Sequence, residues 1–195
     1  MDTQPRIWHP PVVPYDPPAD LAALTLAELA EAVAARRLPP VERWNPTERI
    51  DSGMRIATDG KWYHLGAPIA RPAMVRAFSS LLWREPDGSH WLRTPQDWQA
   101  ITVDDAAFVA VDLRADTDTL TFRLNTDELV MAGPDNPLRI AGTIDAPAAY
   151  LTVRYGLEAR LDRSTWTQLA ELALAGDGDP PSVVSRGARF VLVPA

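Results

Sequence analysis

The sequence predicts an α+β fold dominated by antiparallel sheet, built as two similar subdomains with one helix each. Three observations predict it. Met54 to Leu65 alternates apolar and polar residues around Asp59-Gly60, which reads as a hairpin closed by a two-residue primed turn. After Pro72, the residues Met74, Val75, Phe78, Leu81 and Leu82 recur at helical spacing, with Arg71, Arg76, Ser79 and Ser80 off the stripe. Then the order strand, glycine (Gly66 or Gly156), short apolar segment, Arg-initiated helix, Gly/Asp/Pro loop and strand pair recurs roughly 90 residues later.

The elements follow in order. Residues 1–40 divide into an arm holding Pro5, Pro10, Pro11, Pro14, Pro17 and Pro18, too many for helix or central strand, and a helix carrying Leu21, Leu24, Leu29 and Val33. Arg36 and Arg37 suit the C-terminal end of that helix dipole, and Pro39-Pro40 ends it. Residues 41–105 form a first α+β subdomain: Trp44-Asn45-Pro46 leads into the hairpin, and Pro72 takes a first helical position, where its missing N–H costs nothing. Pro86-Asp87-Gly88 then reverses the chain into strands at Ser89 to Thr94 and Trp98 to Val103, giving four strands and one helix.

Residues 106–195 form a second, β-rich subdomain. Ala107 to Arg114, Leu120 to Leu124 and Glu128 to Ala132 read as strands, and Gly133 to Pro137 as a loop. Further strands at Tyr150 to Tyr155 and Leu157 to Leu161 lead to a helix capped by Asp162 or Ser164 and carrying Trp166, Leu169, Leu172 and Ala173. A hairpin through Arg186-Gly187 closes the chain.

Composition bounds the function. With 195 residues, 46% hydrophobic and 23% charged, the chain has the profile of a folded globular protein. A net charge of −7 argues against duplex nucleic acid, whose phosphates call for a basic surface. Cysteine is absent, which excludes disulfides and thiolate chemistry. The N-terminus lacks a signal pattern, and no apolar run approaches the ~20 residues that span a bilayer. These features read as a cytoplasmic protein without a membrane span.

Trp44-Asn45-Pro46, the run from Met54 to Arg71 (MRI-x-x-DG-x-W-x-x-x-G-x-PI-x-R), Phe78-Ser79, Asp87-Gly88, Thr94-Pro95 and Gly156-Leu157-Glu158-Ala159-Arg160 together resemble the bacterial family known as domain of unknown function 1285. The likeness runs from Trp44 to Phe190. It implies a two-part fold with a duplicated motif, a second half loosely like pleckstrin-homology domains, and a ligand site between the halves linked to signal transduction. Two places depart from the family pattern: Gln96-Asp97-Trp98 stands where the family has Val-Glu-Lys, and Asn136-Pro137-Leu138 where it has His-Pro-Leu.

Catalytic patterns are missing. There is no G-x-S-x-G elbow, no Walker loop and no dinucleotide fingerprint. His9, His64 and His90 form no spaced pair for zinc. Asp116 with Asp118, and Asp177 with Asp179, lack the glycine and glutamate of a calcium loop. Asp104-Asp105 reads as a turn rather than an acid–base pair. No catalytic residue, metal or cofactor is assigned, and the chain reads as a non-enzymatic ligand-binding or interaction protein; the alternative is an enzyme with its site in the same interface.

What remains is a set of arginines and aromatics. Arg55, Trp62, Arg71, Arg93, Thr94, Arg139 and Arg160 are the candidate ligand-binding residues, with Arg154 beside them and Trp62 or Trp91 as a stacking face. Arginines in an acidic molecule suit a small anionic ligand, a nucleotide or a nucleic-acid-like segment, and a protein partner is the other reading. The competing expectation is that these arginines pair with nearby carboxylates and only fasten the fold.

Overall fold

In the computed structural model, residues 38–194 are described, so the arm and leading helix expected before Leu38 lie outside the described residues. The described chain forms two compact units that divide between Asp104 and Asp105.

The first unit contains a 3-10 turn at Val41–Arg43, then β1 (Glu48–Ile56), β2 (Trp62–His64), β3 (Ala67–Pro68), α1 (Pro72–Ser79), β4 (Leu82–Arg84), β5 (His90–Arg93) and β6 (Asp97–Val103). Six strands replace the four expected. Their order is β3-β2-β1-β6-β5-β4. Two antiparallel meanders are therefore joined through a central pair, β1 and β6, which run parallel. A parallel pair needs a long crossover, and the segment carrying α1 lies within it. The ladder between β1 and β6 slips between Asp51 and Met54. There Ser52 supplies by its side chain what the ladder lacks: its hydroxyl donates to Ala100 O at 2.6 Å and accepts from Met54 N–H at 3.0 Å.

The second unit contains β7 (Phe108–Ala115), β8 (Leu120–Leu124), β9 (Leu129–Met131), β10 (Leu138–Gly142), β11 (Pro147–Thr152), β12 (Glu158–Leu161), α2 (Arg163–Leu174), β13 (Ser182–Ser185) and β14 (Ala188–Val191). Its main sheet has the order β10-β11-β12-β7-β8-β9, with β12 and β7 parallel. That is the arrangement of the first sheet: the first strand of one meander lies beside the last strand of the next. The two six-stranded sheets are similar, and each half has one helix. The helix position differs, since α1 lies between two meanders and α2 follows both.

The turns refine the expectations. Asp59-Gly60 is not a two-residue primed turn. Gly60 N–H donates to Ala57 O and Ala57 N–H to Lys61 O, each at 2.9 Å, and only Gly60, at φ +78°, is left-handed. The two-residue turns with both φ positive are Leu65-Gly66, Tyr155-Gly156 and Arg186-Gly187. Because Gly60 sits in a conformation costing an L-residue about 1–2 kcal/mol, Gly60→Val is expected to lower stability by at least that amount. Thermal melting followed by circular dichroism reads it directly, and an unchanged midpoint would contradict the turn assignment.

The helix after Pro72 ends sooner than its apolar stripe. Ser79 and Ser80 hydroxyls donate back to Arg76 O and Ala77 O at 2.9 and 2.6 Å, competing with further helical bonds. Leu81 and Leu82 are buried at 1% and 0% exposure, but Leu82 opens β4 opposite Leu92. Of the two caps expected for the second helix, Asp162 is the one used: its carboxylate accepts from Thr165 N–H at 2.8 Å.

The β13–β14 hairpin is fastened to the larger sheet by a buried hydroxyl. Ser185 Oγ accepts from Leu120 N–H at 2.9 Å and donates to Ala132 O at 2.7 Å, and Ser185 is fully buried. Ser185→Ala leaves both backbone groups without that partner in a dry place, an expected loss of about 1–3 kcal/mol. Urea unfolding would measure it; a variant as stable as the parent would mean that the hydroxyl is not the fastening.

Candidate functional site

The first sheet has two unlike faces. One carries Met54, Ile56, Trp62, Leu82, Leu92 and Ile101, all buried, with α1 contributing Phe78, which stacks on Trp62 at 6.3 Å between centroids. The strand register puts Arg49, Trp98 and Arg93 in one row across β1, β6 and β5 on the opposite face, and Ala100, Trp91 and Trp83 in the next row.

These side chains interlock. The Arg49 guanidinium lies 4.6 Å from the Trp91 ring centre and 5.5 Å from that of Trp98. The Arg93 guanidinium lies 4.5 Å from Trp98 and 4.9 Å from Trp83. Trp98 meets both other indoles edge-on at 6.2 Å, and its N–H donates to Pro46 O at 3.1 Å. Flat cations between indole faces are held by the ring quadrupole as well as by packing.

The two arginines differ in their partners. Arg49 makes a paired contact with Glu85, Nη1 to Oε2 at 3.0 Å and Nη2 to Oε1 at 2.9 Å, with its side chain about half exposed. That bond holds the Arg49 pKa above its ordinary range. Arg93 is 8% exposed, donates to Trp44 O, and makes no ion pair among the described residues. Its Nε is buried without an acceptor among the described residues, and burial lowers its pKa against the opposing pull of Glu42 and Glu85.

The other expected site residues are placed as follows. Trp62, 2% exposed under Phe78, belongs to the core and offers no stacking face. Arg55 pairs with Asp104 through Nε at 2.8 Å and through Nη2, and this lowers the Asp104 pKa. Thr94 is 1% exposed and ties its own loop, its Oγ1 bonding to Asp97 Oδ1 at 2.8 Å and accepting from the Gln96 and Asp97 N–H groups. Arg71 is the exposed N-cap of α1, with no side-chain hydrogen bond or ion pair among the described residues.

In the second unit, Arg139, Tyr150 and Arg160 form a row across β10, β11 and β12. Arg139 lies over the Tyr150 ring at 4.4 Å and grips Glu158 at 2.9 and 3.0 Å. Asp105 accepts from Arg160 at 2.7 Å and from Tyr150 Oη at 2.8 Å. These carboxylate bonds raise both arginine pKa values, while burial, then the bond to Asp105, raises that of Tyr150. Arg154 is bound to Glu128 by two 2.6 Å contacts beneath Phe108. Arg55, Arg139, Arg154 and Arg160 are thus matched by local acids.

Sequence reasoning named Arg93 and Trp91 but missed Arg49, Glu85, Trp83 and Trp98 as their neighbours. Period-two alternation along β1, β4, β5 and β6 marks a shared face only once strand order and register are known. Among the described residues, no group of three or more metal-ligating side chains is placed to hold an ion, and no helix is long and apolar enough to cross a membrane.

Residues 39–106 match the profile described as domain of unknown function (DUF1285), N-terminal domain, and residues 107–192 that described as protein of unknown function (DUF1285), C-terminal domain. A crystal structure of a DUF1285 family protein from Silicibacter pomeroyi DSS-3 is similar at 41% identity and TM-score 0.74, over 86% of this chain and 95% of that one. A second, from Shewanella baltica OS155, has 22% identity and TM-score 0.51 over 60% of this chain and 90% of that one, a likeness of fold alone. No curated protein matches the chain.

Proposed function

We propose, from the premise that this chain belongs to the DUF1285 family, that it is a non-enzymatic binding protein for a small anionic ligand, with its site on the arginine–tryptophan face of the first unit. One observation carries the reading: Arg93 is buried between Trp83 and Trp98 and holds no carboxylate of its own. A desolvated cation is costly unless an anion offsets it. Trp83 and Trp91, both half-buried, stand beside it as indoles that the flat part of a nucleotide or similar ligand would meet.

Arg71, Arg139 and Arg160 are secondary here, because the latter two are already paired. Signal transduction is the setting the family resemblance implies, with the cytoplasm the location read from composition, and ligand binding would be its input. The pleckstrin-homology likeness of the second unit is part of the same proposal, supported by a helix that follows two antiparallel meanders.

A panel of phosphates and nucleotides at millimolar concentration is expected to raise the melting temperature of the parent and to leave an Arg93→Met variant unshifted. Loss of one charge-assisted contact corresponds to about 1.5–3 kcal/mol of binding. If no member of the panel moves the parent, the anion site is abandoned and a protein partner becomes the reading.

A further inference from the structure

Resting on the binding role proposed above, the geometry points to a specific ligand chemistry: we infer that the face takes a phosphate group that replaces the Glu85 carboxylate on Arg49, so that Glu85 is the resident competitor of the ligand. Arg49 presents two N–H groups side by side, and Glu85 fills both with its two oxygens at 2.9 and 3.0 Å. A phosphate offers the same spacing of oxygens and up to twice the charge. Glu85 precedes the turn at Pro86-Asp87-Gly88, where its backbone N–H donates to Ser89 O at 2.9 Å, so the hairpin bond does not depend on where its side chain points.

Exposure decides that exchange is feasible. The Arg49 and Glu85 side chains are 49% and 23% exposed. A solvated pair of this kind holds together by roughly 1 kcal/mol or less, within reach of an incoming dianion. Arg93 supplies the bias: it lies on the same Trp98 ring as Arg49, so two guanidinium groups meet one contacting carboxylate. The other charges facing them are Glu42, held near Arg43 at 3.9 Å, and Asp87, whose carboxylate is engaged by Ser89.

The exchange has an optical signature. Arg49 covers Trp91 at 4.6 Å, and drawing the guanidinium toward a phosphate changes the environment of that indole. The test is a titration of the full chain with inorganic phosphate, followed by tryptophan fluorescence, on the parent, Glu85→Gln and Arg49→Ala. Glu85→Gln keeps the shape of the side chain and removes the competing charge, and is expected to tighten phosphate binding by about two- to fivefold, the strength of an exposed pair. Arg49→Ala is expected to lose the response. If the parent binds phosphate but Glu85→Gln binds it no tighter, or Arg49→Ala binds it equally well, the exchange is overturned while the anion-binding role stands. If neither the parent nor Glu85→Gln binds phosphate, the exchange is overturned, and the anion-binding role then stands or falls by the nucleotides of the panel.

Discussion

Glu128→Ala is expected to cost about 3–5 kcal/mol, because it takes from a buried guanidinium the carboxylate that grips it. The Arg154 and Glu128 side chains are 11% and 7% exposed, and Arg154 Nη1 reaches both carboxylate oxygens at 2.6 Å. The guanidinium also lies 5.0 Å from the Phe108 ring, so it cannot turn to water without abandoning the core. Removing both charges, as in Glu128→Leu with Arg154→Met, is expected to recover most of the loss, since replacing a buried pair by apolar groups of similar volume is often neutral. Urea unfolding of the parent, the single variants and the double variant forms a cycle that isolates the pair. A single variant within 1 kcal/mol of the parent would show that the pair is solvated after all.

Trp62→Ala is expected to cost a similar ~3–5 kcal/mol through the cavity it opens beneath Phe78. Trp62→Phe separates packing from polarity. The indole N–H of Trp62 is buried without an acceptor among the described residues, so the phenyl ring removes a donor that gains nothing there. The Phe variant is therefore expected to lose less than half of what Ala loses, by thermal and urea unfolding alike. Both variants, where folded, are expected to bind anions as the parent does, because Trp62 lies on the face opposite Arg49 and Arg93. A selective loss of anion binding in Trp62→Phe would return this residue to the site.

Trp62 and Trp91 both stand in aromatic, alternating stretches, and nothing local distinguishes the one that stacks in the core from the one that is half-exposed beside an arginine. The difference comes from α1, which covers one face of the sheet. Arg93 stood among the expected ligand residues because it sits beside a strand end in an acidic chain. Its lack of a carboxylate became visible only beside Arg55, Arg139 and Arg160, which have theirs.

Whatever depends on neighbours a few residues apart was determined by the sequence: the strand at Leu120–Leu124, a cap at the start of the second helix, and the hairpin through Arg186-Gly187. Such features follow from backbone sterics and short-range hydrogen bonds, which the residue types carry with them. Strand order, the parallel pairs β1–β6 and β7–β12, the extra strands β3, β4 and β10, and the pairing of charges were decided by tertiary structure alone. Arg55 finds Asp104 at a separation of 49 residues, Arg160 finds Asp105 at 55, and Arg49 finds Glu85 at 36. At such distances along the chain a guanidinium has many carboxylates to choose from, and the register of the sheets selects which one it meets.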